Sequence, residues 1–389
     1  MNATLGSRFL WSCLCALFPI VLAGQQPSAP AGAPKQPNSD QATPAGGDPT
    51  LVKRPPPKQP GAVTPEGLIR LDVVVTDEAG KVVTGLSPWD FKVLDKDQPR
   101  KILSFQSFNG VTVKPDPPAQ VILLIDLVNP AFQQSARIRQ EVADFLNQND
   151  GHLKHPVSIM LLTEAGLRIQ PRPSLDGHAL RSILDEIKPN IRVYSSAMGE
   201  YGAVERMQVS MRALSLIASN EAQRPGRKIL VWVGTGWPVL AQEDTVLTPA
   251  EERNRRRNFD GLVAISTWLR EAQMTVYSLG GGSEFFYKNY LKGVTGPAMT
   301  RTSNLALQVF AVQTGGETID VGNGSNISDQ ILRCIDDADA YYRISFDPPP
   351  AAHADEYHEL RLVLDRPGLV AHTISGYYDQ PPEHPGTGN

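Results

Sequence analysis

Cysteine is scarce in this chain of 389 residues, which contains only Cys13, Cys15 and Cys334. So few cysteines exclude a disulfide-stapled scaffold and a zinc site built from thiolates. An excess of positive charge is also lacking, because 37 lysines and arginines face 41 aspartates and glutamates, so we expect no nucleic-acid partner. The sequence has no Gly-Lys-Ser/Thr phosphate loop, no Gly-x-Ser-x-Gly nucleophile elbow and no Cys–His nucleophile pairing. We therefore expect a protein that is not an enzyme.

A continuous apolar segment occurs at the N-terminus, over residues 9–23, directly after Arg8. Small residues at Val21 and Ala23 suit signal-peptidase cleavage before Gly24, so residues 1–23 are predicted to be a signal peptide. A membrane anchor is the alternative, but Pro19 interrupts the segment and a span needs roughly 20 apolar residues. The chain is therefore expected to be exported, to the periplasm or the medium, with no stable membrane span after cleavage.

Residues 24–66 are rich in Pro, Ala, Gly and Gln and contain few large apolar side chains, which predicts a disordered linker. From residue 67 to 115 the sequence alternates between apolar and polar residues, and it does so again over 340–379. Four predicted strands in the first region and three in the second suggest one seven-stranded, immunoglobulin-like β-sandwich built from both chain ends. Val82 and Val83 are counted among these strands, and residues 380–389 are a tail.

The region between these flanks, residues 116–339, alternates buried apolar runs with helical apolar stripes. The runs predict strands near residues 120–126, 157–162, 228–233, 274–279 and 317–319. This order is typical of an α/β, doubly wound, mostly parallel sheet of the Rossmann type, which we expect to be inserted into the sandwich.

Ligands of such sheets bind beyond the carboxyl ends of the strands, so the loops that follow the strands are the candidate site. Residues 126–130, 234–238 and 280–283 are these loops. Asp126 ends the first strand, and Asn129 and Thr235 offer neutral oxygens that, with the carboxylate, suit a hard cation such as Mg²⁺. The alternative is that Asp126 only hydrogen-bonds a neighbouring loop.

Several segments together resemble the von Willebrand factor A domain, in the form found in a secreted bacterial "VWFA-related" family abundant in acidobacteria. In the central region these are residues 123–126 (LLID), 227–233 (RKILVWV) and 314–316 (TGG). In the flanks they are residues 73–80 (VVVTDEAG), 83–86 (VTGL), 90–93 (DFKV), 366–368 (RPG) and 376–378 (GYY). The resemblance covers about residues 68–378.

The resemblance implies a Mg²⁺ site formed by an Asp-x-Ser-x-Ser loop, a threonine from a later loop and a second aspartate. Asp126 matches the first position, whereas Val128 and Pro130 occupy the serine positions and Thr235 stands where the second aspartate belongs. Ser195 or Ser196 is the candidate for the loop hydroxyl. The resemblance therefore implies a degenerate metal site, either weakened or lost.

Two other clusters receive structural interpretations. Asp336, Asp337 and Asp339 span a predicted helix end and are expected to face water. His152 and His155 have no neighbouring ligands in sequence that would indicate zinc.

These observations favour an exported, non-catalytic binding or adhesion module that recognises a protein or cell-surface ligand with the carboxyl edge of its α/β domain. Trp237 is the predicted contact residue, because exposed aromatic side chains anchor interfaces, and core packing is its alternative. A metal-dependent extracytoplasmic hydrolase and an envelope scaffold are the alternative functions.

Overall fold

The computed structural model describes residues 67–170, 172–186, 199–239, 249–282, 284–321 and 326–381. The predicted signal peptide 1–23, the linker 24–66, Ser195, Ser196 and most of the tail lie outside the described residues. None of the helices in the described ranges combines the length and the apolar character needed to cross a membrane.

Strands and helices follow one another in three blocks along the chain. The strands are β1 (Ile69–Asp77), β2 (Phe91–Asp95), β3 (Gln98–Arg100), β4 (Ile102–Asn109), β5 (Gln120–Asp126), β6 (His152–Thr163), β7 (Gly166–Ile169), β8 (Ser174–Asp176), β9 (Lys228–Val233), β10 (Met274–Leu279), β11 (Thr318–Ile319), β12 (Ala340–Phe346), β13 (Glu356–Leu364), β14 (Leu369–His372) and β15 (Gly376–Asp379). The helices are α1 (Phe132–Asn147), α2 (Gly177–Glu186), α3 (Gly199–Glu221), α4 (Pro249–Glu271), α5 (Leu307–Gln313) and α6 (Ile327–Asp336).

The central sheet has seven strands and is mostly parallel, which confirms the predicted α/β class. Its order is β11-β10-β9-β5-β6-β7, and β8 pairs with β6. The central strands β5 and β9 are buried almost throughout because helices cover both faces of the sheet. One core contains apolar side chains of α1, α2 and α6, and the other contains those of α3, α4 and α5.

The antiparallel strands β7 and β8, which the sequence analysis did not predict, extend the central sheet at β6. They have four and three residues, and most of their side chains are partly or fully exposed. Strands this short do not repeat the apolar alternation often enough to be recognised.

The two chain ends pair with each other in two four-stranded antiparallel sheets. The first has the order β14-β1-β12-β4 and the second β15-β13-β2-β3. Apolar side chains of both sheets, among them Leu71, Phe91, Ile344 and Leu360, share one core, and these two packed sheets are called the sandwich below.

The strand count differs from the predicted seven, because these two sheets contain eight. Residues 82–83 are not a strand, and only an isolated bridge joins Val82 to Thr76. The Asp77 carboxylate accepts the N–H groups of Ala79 and Lys81 and closes a tight turn, after which the chain leaves the sheet. Strands β3 and β15 were not predicted and make up the difference.

Candidate functional site

The predicted ligand residue Asp126 ends β5 at the carboxyl edge of the central sheet and is completely buried. Its Oδ1 accepts hydrogen bonds from the backbone N–H groups of Val128 and Asn129, both at 3.0 Å. Its Oδ2 accepts one from Asn129 Nδ2 at 2.8 Å and one from Trp232 Nε1 at 3.0 Å. Both carboxylate oxygens are therefore saturated by donors of the protein itself.

The surroundings of Asp126 are also closed sterically. Gly234 follows β9 with φ 151, and a Cβ atom at this position would lie 2.6 Å from the Cβ of Asp126. Only glycine allows the two strand ends to approach so closely. Burial raises the pKa of Asp126, and the hydrogen bonds from Asn129, Trp232 and Val128 counteract this rise.

The residues present do not fit a Mg²⁺ ion held by Asp126. A cation would need carboxylate lone pairs that now accept N–H groups, and Val128 supplies no oxygen from its side chain. The Thr235 hydroxyl donates to the carbonyl of Gly236 at 3.2 Å. Across the described ranges, no three His, Cys, Asp or Glu side chains form a group that could hold a metal ion.

Asn129, the second predicted residue, lies against Asp126 but faces its carboxylate with the amide nitrogen rather than with the oxygen predicted as a ligand. Its Nδ2 bridges the Asp126 carboxylate and the hydroxyl of Ser210 on α3, at 2.8 and 2.9 Å. The contact therefore links β5 to a helix and belongs to the internal hydrogen bonding of the fold.

Trp237 is not an exposed contact residue, which corrects the prediction. Its side chain is only 3% exposed and its Nε1 donates to the carbonyl of Leu305 at 3.0 Å. Its ring packs edge-on against Trp232, with the ring centroids 5.3 Å apart. The alternative interpretation, core packing, is the one found, because the segment before α5 covers the indole.

Another loop at the same edge does present aromatic side chains to solvent. Phe285 and Phe286, in a 3-10 helix that follows β10, are 64% and 77% exposed. Their ring centroids lie 6.3 Å apart, and Lys288 Nζ lies 4.7 Å from the Phe285 ring centroid. The sequence signal of this surface is an adjacent aromatic pair just after the glycine-rich loop, and it was not among the predicted contacts because phenylalanine has no ligand oxygen.

The aspartates at the end of α6 form a second polar site, at the amino edge of the central sheet. Asp336 faces water as expected, with 70% of its side chain exposed, whereas Asp337 is largely enclosed. Asp337 Oδ2 accepts the hydroxyl of Tyr277, and its backbone carbonyl accepts Arg227 Nη1. These two buried partners hold the end of α6 against β10. The prediction that Asp337 faces water is therefore wrong.

Asp339 is also partly enclosed and joins the sandwich side of this site to β6. Its carboxylate contacts Lys154 Nζ at 2.5 Å and His155 Nε2 at 3.2 Å. Burial lowers the pKa of His155, although the Asp339 charge acts in the opposite direction. Because neither histidine of this segment shares a group of metal ligands among the described residues, a zinc site is not found there.

No family model matches the sequence, and no curated protein does. Among solved structures, the chain is similar to the human COPII-coat protein Sec24c, with 11% identity over 66% of this chain and 43% of that chain and a TM-score of 0.30. It is similar to the pilus adhesin SpaC from Lactobacillus rhamnosus GG, with 9% identity over 78% and 49% and a TM-score of 0.33. A third is proximal thread matrix protein 1 from the mussel byssus, with 12% identity over 57% and 48% and a TM-score of 0.29. The chain spans less than half the length of each, and likenesses this low carry no functional argument.

Proposed function

We propose that the protein is an exported, non-catalytic binding module of the von Willebrand factor A-like type, set in an immunoglobulin-like sandwich. It recognises a protein or a cell-surface ligand through the loops at the carboxyl edge of the central sheet. The observation that carries this proposal is the exposed pair Phe285 and Phe286 at that edge. Exposed aromatic side chains supply large contact areas and are enriched among the residues that dominate binding energy.

Recognition by this surface is proposed to be independent of metal. The four hydrogen bonds of Asp126 support this, because a cation would have to displace protein donors from a buried carboxylate. The same burial argues against a hydrolase that uses Asp126 to activate water, since the carboxylate has no solvent contact.

The test measures binding of the mature protein to purified peptidoglycan sacculi, lipopolysaccharide, collagen and fibronectin on biosensor surfaces. The Phe285→Ser/Phe286→Ser variant is expected to weaken saturable binding at least about tenfold, and EDTA is expected to leave it unchanged. Trp89→Ser is the matched control, because Trp89 is 87% exposed but lies in the short 3-10 helix that precedes β2. The affinity of the Trp89→Ser variant should stay within about twofold of the parent.

Three results would overturn the proposal. The first is parental affinity in the double phenylalanine variant, and the second is loss of binding in EDTA. The third is absence of saturable binding to all four ligands, which would favour the envelope scaffold. Metal-dependent turnover of ester, phosphate or peptide substrates would instead favour the hydrolase.

A further inference from the structure

A cleft of about 530 Å³ lies where the antiparallel sheets meet the amino edge of the central sheet. Thr76, Val82 and His372 line it from the sandwich side. Tyr277, Ile319 and Asp337 line it from the α/β side. Clefts of this size between two structural layers are common sites for small ligands. The cleft lies at the amino edge of the central sheet, whereas the loops of the proposed binding surface lie at the carboxyl edge. A ligand of the cleft therefore does not depend on the function proposed above.

The charge of the lining favours a cation over an anion. Four carboxylates and three lysine or arginine side chains face the cleft. Two of the three cations already have acidic partners, because Arg333 Nη2 lies 2.7 Å from Glu317 Oε2 and Lys154 contacts Asp339. The lining therefore has more negative than positive charge, and little of its positive charge is available to an anionic ligand.

Asp337 is the carboxylate that these cations leave without an ion pair. Its Oδ2 accepts the Tyr277 hydroxyl, and the described residues give Oδ1 no hydrogen-bond partner. The nearby Arg227 binds the backbone carbonyl of Asp337, and its guanidinium carbon lies 4.6 Å from the Tyr341 ring centroid. Burial is the main cause that raises the pKa of Asp337, whereas the Tyr277 hydrogen bond and the charge of Arg227 lower it. The charge of Glu317 adds a smaller rise, and the charge of His372 opposes it.

We propose that the cleft binds a small aliphatic amine whose primary ammonium group pairs with Asp337. An ammonium group supplies both the positive charge and the hydrogen-bond donors that Asp337 Oδ1 lacks. Val82 and Ile319 provide apolar contact for a short methylene chain. At the rim, Asp336 offers a second, exposed carboxylate to a distal ammonium group, which would compete there with Lys154 Nζ at 3.8 Å.

The test is a calorimetric titration of the mature full chain with 1,4-diaminobutane, with uncharged 1,4-butanediol as the chemical control. We expect saturable binding of the diamine and none of the diol. Asp337→Asn should weaken the binding of the diamine at least about tenfold. Asp329→Asn is the matched control, because Asp329 is an exposed aspartate in the first turn of α6, away from the cleft. It should stay within about twofold of the parent.

Glu317→Gln provides a second variant that keeps Asp337 and Tyr277 intact, and it decides the matter if Asp337→Asn fails to fold. It should weaken diamine binding about threefold, because one negative charge near Asp337 is removed. The proposal is overturned if the parent gives no saturable heat or binds the diol equally well. The proposal is also overturned if folded Asp337→Asn binds the diamine with parental affinity. If Asp337→Asn does not fold, parental affinity in Glu317→Gln overturns it.

Discussion

The hydrogen bonds of Asp126 tie the end of β5 to the loop that follows it and, through the indole of Trp232, to β9. An aspartate in this position satisfies four N–H donors that would otherwise be buried without acceptors. Each such donor left unsatisfied costs about 1–3 kcal/mol, and more when the lost acceptor is charged. The residue therefore contributes to stability through its charge and shape rather than through an exposed ligand surface.

Asp126→Asn is expected to lower the free energy of unfolding by about 2–4 kcal/mol. The NH₂ group of the new asparagine would face N–H donors that the carboxylate oxygen now accepts. Urea unfolding followed by tryptophan fluorescence measures this. Asp320→Asn, at an exposed aspartate after β11, should change it by less than about 0.5 kcal/mol. We further expect no saturable heat when Mg²⁺ is titrated into the parent. Saturable heat that disappears in Asp126→Asn would contradict this interpretation.

At the level of single residues, the sequence predicted positions better than environments. Asp126 and Asn129 do meet at the strand end, because the end of a parallel strand has a fixed place in the sheet. Whether Trp237 is exposed depends on Leu305, 68 residues later in the chain, and no local pattern contains that contact. Asp337 was misjudged for the same reason, since its partner Tyr277 is 60 residues away.

Helix α3 shows how a buried charge can complete a secondary-structure element. Lys228, the first residue of β9, donates from Nζ to the carbonyl of Glu221 at 3.0 Å and to that of Arg224. Helix C-termini leave carbonyl groups without partners, and a lysine satisfies them while matching the helix dipole. Burial lowers the pKa of Lys228 from its ordinary 10.5 to about 8.

Replacing this lysine changes how stability depends on pH. Between pH 8 and 10.5 the unfolded parent binds a proton at Lys228 that the folded parent has lost. Stability from this group therefore rises with pH in that window and is constant below about pH 7. The parent is expected to gain stability relative to Lys228→Met over the window, as measured by urea unfolding at pH 7 and 10. If the free energies of unfolding of the parent and of Lys228→Met changed equally between pH 7 and 10, this prediction would be contradicted.

The elements that the sequence predicted best are the buried parallel strands. β5 and β9 each contain an unbroken apolar run, and every residue of β10 is buried, because strands covered on both faces require such sequences wherever they lie in the chain. β3 and β15 are short strands with few apolar residues, so their pairing depends on partners distant in sequence. Their existence is set by β2 and β13 rather than by their own composition.

At the scale of the whole molecule, contacts between the sandwich and the α/β layers are specific. The Tyr378 hydroxyl in β15 donates to the carbonyl of Val294 at 3.0 Å and accepts its N–H at 3.3 Å. The Tyr378 ring packs edge-on against Phe259 of α4, with centroids 6.0 Å apart. The C-terminal strands therefore contribute to the core of the central sheet as well as to their own.

Because of this arrangement, the folding of the strands β1 to β4 depends on the strands β12 to β15 at the other end of the described chain. β12 lies between β1 and β4, and its Tyr342 and Ile344 fill the core that Leu71 and Phe91 share. A chain that ends at Asp339 would leave β1 and β4 without their common partner and would expose that core. We expect this chain to aggregate or to lack a cooperative unfolding transition.

The matched control ends at Pro381 and retains every strand of the described ranges, so its free energy of unfolding should remain within about 0.5 kcal/mol of the full chain. Size-exclusion chromatography and urea unfolding of the two truncated chains measure the difference. A monomeric, cooperatively folded chain ending at Asp339 would show that the α/β layers are stable without the sandwich. In that case the contacts of Tyr378 with Val294 and Phe259 would be dispensable for folding of the α/β layers.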